Sequence, residues 1–214
     1  MEEQKRIRQF SPIQWLKGRQ PWVRGMLING AVFLLLIVVF FMTGSYMYGP
    51  AKNARAYYEA KSAGDWNRMY DCCVFPESSF LSKQNFVNAM SYRTNQDTDE
   101  QELPEITSYM MRKKGKNGNQ VNYQVNYSLK DDGDAHIESL VMERGSSVLR
   151  VFSNWYVLPE DLYVQDISVT VPKRARLSID GTEVAEKYLT ESQDEEKAVY
   201  QIPYLFLGYH TIEL

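Results

Sequence analysis

Val121-Asn122-Tyr123-Gln124-Val125-Asn126-Tyr127-Ser128-Leu129 alternates apolar and polar residues without a break. A period of two belongs to a strand with one covered face and one wet face. A helix would return its apolar residues every third or fourth position. The segment therefore predicts an antiparallel strand over 121–129. Lys116-Asn117-Gly118-Asn119 before it reads as a hairpin turn, which makes Ile106 to Arg112 its partner strand. Asp131-Asp132-Gly133-Asp134 is the next turn and Ile137 to Glu143 the next strand. A Gly145-Ser146-Ser147 turn and a strand from Val148 to Val157 complete a meander of about four strands.

Upstream of the meander the period is helical. Gly49-Pro50 breaks or kinks the apolar helix that precedes it, and a helix then runs from Ala51 to about Ser62, with Ala54, Tyr57, Tyr58 and the stem of Lys61 on one side. Gly64 suits the residue after its end, and Asp65 can cap a second helix from Trp66 to about Cys73, before Pro76. Ser82 can cap a third, Lys83 to about Tyr92, with Phe86, Val87 and Met90 at helical spacing. A polar stretch from Thr94 to Glu102 separates it from the sheet.

Further toward the N-terminus, Met26 to Tyr48 reads MLINGAVFLLLIVVFFMTGSYMY, 23 residues without a charge. At ~1.5 Å rise per residue such a helix crosses a hydrocarbon core of ~30 Å. Tyr46 and Tyr48 suit one interface, and Trp15 and Trp22 the other. Lys5, Arg6, Arg8, Lys17, Arg19 and Arg24 against Glu2 and Glu3 give the first 25 residues a charge of +4. With a total of −3, the rest carries −7. The positive-inside rule places the basic N-terminus in the cytoplasm and everything after about Gly49 outside. A cleaved secretory signal is the alternative, with Ala54-Arg55-Ala56 as a small-x-small triplet. The apolar run exceeds a signal's ~7–15 residues, and the triplet lies well past its end.

A boundary is expected at Pro159-Glu160. Beyond it Ile167 to Val171, Arg176 to Ile179 and Val199 to Ile202 read as short strands, with turns at Pro172, Asp180-Gly181 and Gly208. Glu191 to Glu196 reads as an acidic loop. The chain stops at Thr211 to Leu214, in or just after a strand. That points to a natural continuation, with a tight native end as the alternative. The expected fold class is α+β: a basic segment 1–25, a transmembrane helix 26–48, a cone-like domain 50–159 of helices plus an antiparallel sheet, and a small all-β domain 160–214. Charge and composition exclude a disordered chain, a polytopic membrane protein and a basic nucleic-acid-binding domain. Two cysteines exclude a disulfide-rich scaffold and a multi-cysteine zinc module.

Ala63-Gly64-Asp65-Trp66, Phe80-Leu81-Ser82-Lys83-Gln84-Asn85-Phe86 and Phe152-x-x-Trp155-x-Val157-x-Pro159 resemble a nuclear-transport-factor-like domain. The version resembled is the non-catalytic N-terminal domain of Gram-positive penicillin-binding proteins. Val171-Pro172-Lys173-x-Ala175-x-Leu177-x-Ile179-Asp180-Gly181 and Tyr200-x-Ile202-Pro203-Tyr204-Leu205-Phe206-x-Gly208-x-His210-x-Ile212 resemble the small β-repeat of TcaA-type, teicoplanin-resistance-associated surface proteins. Together the resemblance covers roughly residues 50 to 214. It departs in two respects. The N-terminus lacks the cysteines of the TcaA-type zinc ribbon, and no Ser-x-x-Lys occurs, because Ser82 and Lys83 are adjacent. The resemblance implies an accessory module of the envelope and no activity.

The residues themselves agree with a non-enzymatic reading. His136 and His210 have no recognisable partner and read as surface or turn histidines, and no metal-ligand spacing or cofactor-binding motif is present. Cys72-Cys73 are too close to join without strain; one is expected buried and the other partly exposed. Tyr123, Tyr127 and Trp155 could line an apolar pocket under the sheet, with core aromatics as the plainer account. Arg112, Lys113, Lys114 and Lys116 are expected at a hairpin tip, as a solvated turn or as a contact for anionic wall polymer or headgroups. The leading expectation is a membrane-anchored, non-catalytic binding or scaffolding module of a Gram-positive-type envelope, serving wall synthesis or wall-stress response. Its partners would be the membrane, peptidoglycan, anionic polymer or a membrane protein of the wall machinery, and not nucleic acid. The alternative is a cone-fold enzyme or carrier with a Tyr-lined pocket. A third reading, an assembly subunit, would pack its span through Asn29-Gly30.

Overall fold

The apolar run folds as helix α1, Pro21–Met47. A computed structural model describes residues 20–96, 106–130, 134–190 and 196–214. Lys5, Arg6, Arg8, Lys17, Arg19 and Trp15, the polar stretch past Gln96, the Asp131-Asp132-Gly133 turn and the acidic 191–195 lie outside the described residues. Side chains from Met26 to Thr43 are exposed on every face of α1, so no stripe is set aside for a protein core. The helix is long and apolar enough to cross a membrane. The described residues up to Met47 and those from Tyr48 onward fall into separate units.

In the second unit, α2 (Pro50–Ser62) begins with proline at its first position, where no N–H is needed. Ala54, Tyr57 and Tyr58 are buried on one side, as the spacing predicts. Its end is a Schellman motif: Asp65 N–H donates to Ala60 O and Gly64 N–H to Lys61 O, with Gly64 at φ +66. Asp65 then caps α3 (Trp66–Asp71), accepting from Arg68 N–H. Cys72 and Cys73 therefore follow the helix rather than lie on it. Ser82 caps α4 (Lys83–Gln96) through Asn85 N–H, and that helix runs about a turn past the expected end.

The meander is a four-stranded antiparallel sheet in the order β1 (Ile106–Asn117), β2 (Gln120–Leu129), β3 (Ala135–Val148) and β4 (Phe152–Val157). Val121, Tyr123 and Val125 face the helices, while Asn122 and Asn126 are exposed. Two expected turns fall elsewhere. Asn117 pairs with Gln120, so the first reversal is Gly118-Asn119 alone and β1 absorbs the basic run. Gly145-Ser146-Ser147 stays within β3, where a register shift between Arg144 and Ser147 takes up its irregularity. The chain reverses at Leu149-Arg150 instead, both at positive φ.

Past β4 come β5 (Tyr163–Pro172), β6 (Ser178–Ile179), β7 (Thr182–Glu183), a 3-10 turn at Glu186–Tyr188, β8 (Leu189–Thr190), β9 (Lys197–Phe206) and β10 (Ile212–Glu213). They form two antiparallel three-stranded sheets, β5-β9-β8 and β10-β6-β7. The class is α+β with antiparallel sheets. The expected boundary at Pro159 falls between β4 and β5, yet side chains cross it in both directions. Leu162 and Phe206 belong to the core under the helices, and Phe80 belongs to the core of the later strands. Phe75, Phe86 and Phe206 meet with ring centroids 5.2–5.7 Å apart and tie the parts together.

Candidate functional site

The densest charge is on β1. Arg112, Lys113, Lys114 and Lys116 are all exposed, along an edge strand rather than at a tip. Arg112 pairs with Gln124 on the outer face of the sheet. Lys113 and Lys116 pair with Tyr123 and Val121 and so fall on the helix-facing side. A register shift between Lys113 and Gly115 leaves Lys114 as the extra residue. Lysines and a bulge on an edge oppose pairing with another strand. The same arrangement spreads positive charge over both faces of one edge.

The helix-facing side carries a polar group that the sequence reading did not single out. Lys61 Nζ reaches both oxygens of Glu138 at 2.8 Å, and the Tyr58 hydroxyl donates to the same carboxylate at 2.8 Å. Tyr109 and Tyr127 pack against the Tyr58 ring at 5.1 and 6.0 Å, and His136 stacks on Tyr127 at 5.2 Å. Burial, then the Glu138 charge, holds the Tyr58 phenol well above its ordinary value, so it remains a donor. Burial and Glu138 also raise Tyr127. A carboxylate held by one ammonium and one phenol ties the helix to the sheet. The signal for it was present: Glu138 shares parity with the core residues Leu140 and Met142.

Tyr123, Tyr127 and Trp155 are spread along the sheet. Tyr127 lies opposite His136, Tyr123 opposite Leu140 and Trp155 opposite Arg144. Eight residues separate His136 from Arg144 on β3, roughly 27 Å at strand rise. Tyr123 is buried in the core. Trp155 instead offers its carbonyl to Asn53 Nδ2, which also bonds Cys72 O. Tyr127 and Trp155 pack against the core that holds Tyr123, far from one another along the sheet.

Cys72 is buried and Cys73 half-buried; both are free. Their backbone joins β4, with Val157 N–H donating to Cys72 O and Val74 N–H to Val157 O. Burial raises both thiols, most strongly Cys73, and keeps them protonated and poorly nucleophilic.

His210 does have a partner, contrary to the sequence expectation. Its Nδ1 lies 2.7 Å from Asp180 Oδ2, and its Nε2–H donates to Phe206 O at 2.7 Å. Asp180 Oδ1 accepts from Thr211 N–H. Residues 30 apart in sequence thus join the β6–β7 turn to β10 as a clasp. The chain finds no match among protein-family models, curated proteins or solved structures.

Proposed function

We propose that this chain is a single-pass membrane protein, N-terminus in the cytoplasm, whose residues after Tyr48 form a non-catalytic binding or scaffolding module outside the membrane of a Gram-positive-type cell. One observation carries the reading: an apolar helix exposed on every face, preceded by a basic flank and followed at once by a compact unit with its own cores. Exposing such a helix to water would forfeit roughly 1.5–3 kcal/mol for each large apolar side chain, and a bilayer removes that cost. Helices over a four-stranded antiparallel sheet support a nuclear-transport-factor-like cone for 50–159. The two small antiparallel sheets that follow Pro159 support a small TcaA-type β domain after 160. The exposed basic edge of β1 supports contact with anionic wall polymer, and a membrane protein of the wall machinery would be reached from the same tether. The small-molecule reading draws no support from Tyr123, Tyr127 and Trp155, which lie apart.

Two measurements test this. Ser108→Cys, on an exposed stretch of β1, is expected to react with a membrane-impermeant maleimide in intact cells; protection there with labelling only after lysis would invert the topology. Full-length protein in detergent is expected to co-sediment with peptidoglycan carrying its anionic polymers at low salt and not at high salt. Neutralising Arg112, Lys113, Lys114 and Lys116 together should abolish that binding. Salt-independent binding, or none, would remove the wall-polymer contact.

A further inference from the structure

We propose that the β3–β4 hairpin is a lipid-contact element. Leu149 and Val151 would enter the headgroup region of the bilayer that carries α1, with Arg144, Arg150 and Lys52 against its anionic lipids. The inference rests on reading α1 as a membrane anchor. Tyr48, the first residue after α1, stacks on Phe152 with centroids 5.6 Å apart and planes at 19°. Phe152 is the first residue of β4 and pairs with Val148, so the chain that leaves α1 immediately grips this hairpin just below its tip.

The hairpin reaches past the rest of the sheet. Arg144 N–H donates to Asn119 O, which marks the level where β1 and β2 turn. β3 continues from there to Val148, four residues and about 14 Å at strand rise. The basic run of β1 lies behind that level and stays available to polymer. At the tip Leu149 is 66% exposed and Val151 51% exposed. From Arg144 to Phe152 the sequence holds two arginines and no acid, in a chain of net charge −3. Lys52, one helical turn after Tyr48, is exposed as well.

The reversal itself is unusual. Leu149 and Arg150 take φ +51 and +61, positions that hairpins normally give to Asn or Gly. Folding alone does not account for a leucine held in a disfavoured backbone region with its side chain in water. An apolar tip with one arginine in it and further cations behind it matches an anionic bilayer surface, where the side chain is buried and the charges are paired. The contact can be weak, because α1 already fixes the hairpin at a high local concentration of lipid.

The test uses the full chain in nanodiscs of phosphatidylcholine alone, or of phosphatidylcholine and phosphatidylglycerol in equal parts. A bimane label is placed at Leu149→Cys, Val151→Cys or, as a control on β10, Glu213→Cys. The native cysteines stay in place, and unsubstituted protein gives the labelling background. Carbonate extraction reports insertion of α1. Expected is several-fold stronger quenching by headgroup-level doxyl lipid at 149 and 151 than at 213, greatest with phosphatidylglycerol and reduced by Arg144→Glu with Arg150→Glu. Quenching at 149 and 151 no stronger than at 213, with α1 inserted, would overturn the lipid contact and leave the anchor standing. Shielding of 149 that grows with protein concentration and without lipid quenching would mean a contact between copies and would also overturn it. Failure of α1 to insert would overturn both readings.

Discussion

The phenol of Tyr58 and the ammonium of Lys61, one turn apart on one face of the same helix, close on one carboxylate, that of Glu138. This tie fixes α2 to β3 across the helix-facing side of the sheet. Hydrogen bonds to charged groups contribute about 1.5–3 kcal/mol each, and less where water reaches them. Tyr58→Phe is expected to lower stability by roughly 1–2 kcal/mol and Glu138→Gln by about as much. The double variant should lose clearly less than the two combined, because Tyr58→Phe removes the bond that Glu138→Gln weakens by taking away the acceptor's charge. Urea unfolding of the four proteins checks this. Strict additivity would mean that the 2.8 Å contact is energetically idle.

Gly145 lies in β3 at the irregular stretch that replaces the expected turn. A Cβ there would sit 2.5 Å from Cε2 and 2.8 Å from Cδ2 of the Tyr156 ring. Gly145→Ala must therefore displace the ring or bend the hairpin, at roughly 1–3 kcal/mol. Pairing it with Tyr156→Ala removes the clash, so the double variant should be little less stable than Tyr156→Ala alone. Thermal melts of the three variants decide it. A Gly145→Ala protein as stable as the parent would show that the ring moves freely.

The sequence made the elements legible wherever one local signal decided them. The alternation of 121–129, the Asp65 and Ser82 caps and the glycine after α2 all act within a few residues. Misplacements came where local chemistry points the wrong way. Gly145-Ser146-Ser147 has turn composition but only bulges a strand, whereas Leu149-Arg150 turns the chain with residues that no turn rule selects. That second error hid the hairpin tip. The first reversal was set too early, which put the basic run at a tip rather than along an edge. His210 and Asp180 could not be joined from the sequence, because their contact depends on how β6 and β10 pair. Glu138 was half legible. Its parity put it inside, but only the fold supplies Tyr58 and Lys61.

Burial holds the thiol of Cys73 and the phenols of Tyr57 and Tyr58 well above their ordinary values of 9.0 and 10.0. In the unfolded chain these groups lose their protons near those ordinary values, while the folded protein keeps them. The unfolded state then binds fewer protons, so stability is fully present below about pH 9 and falls as pH rises beyond it. Each such group removes up to about 1.4 kcal/mol per pH unit. Urea midpoints measured from pH 7 to 11 are expected to be flat at first and to drop above 9 to 10. At pH 8 both cysteines should react slowly with a disulfide reagent in the native state and at once in denaturant. Fast native reaction would contradict the burial of both thiols.

Asp180 does two jobs for the last strand. One carboxylate oxygen faces His210 Nδ1, and the other accepts from Thr211 N–H at 2.9 Å. It also stands at φ +52 in the β6–β7 turn, a conformation that Asp and Asn tolerate better than other side chains with a Cβ. Asp180→Asn keeps the turn and the acceptor for Thr211, and its amide can donate to an unprotonated Nδ1 while Nε2–H still serves Phe206 O. It should therefore cost less than about 1 kcal/mol. Asp180→Ala loses both acceptors and the turn preference, and is expected to cost roughly 2–4 kcal/mol. His210→Ala should fall between them. Thermal unfolding of the three variants, with hydrogen exchange at the Thr211 amide, tests the order. Equal losses for Asn and Ala would mean that the carboxylate charge, and not the hydrogen-bond geometry, holds β10 to β6.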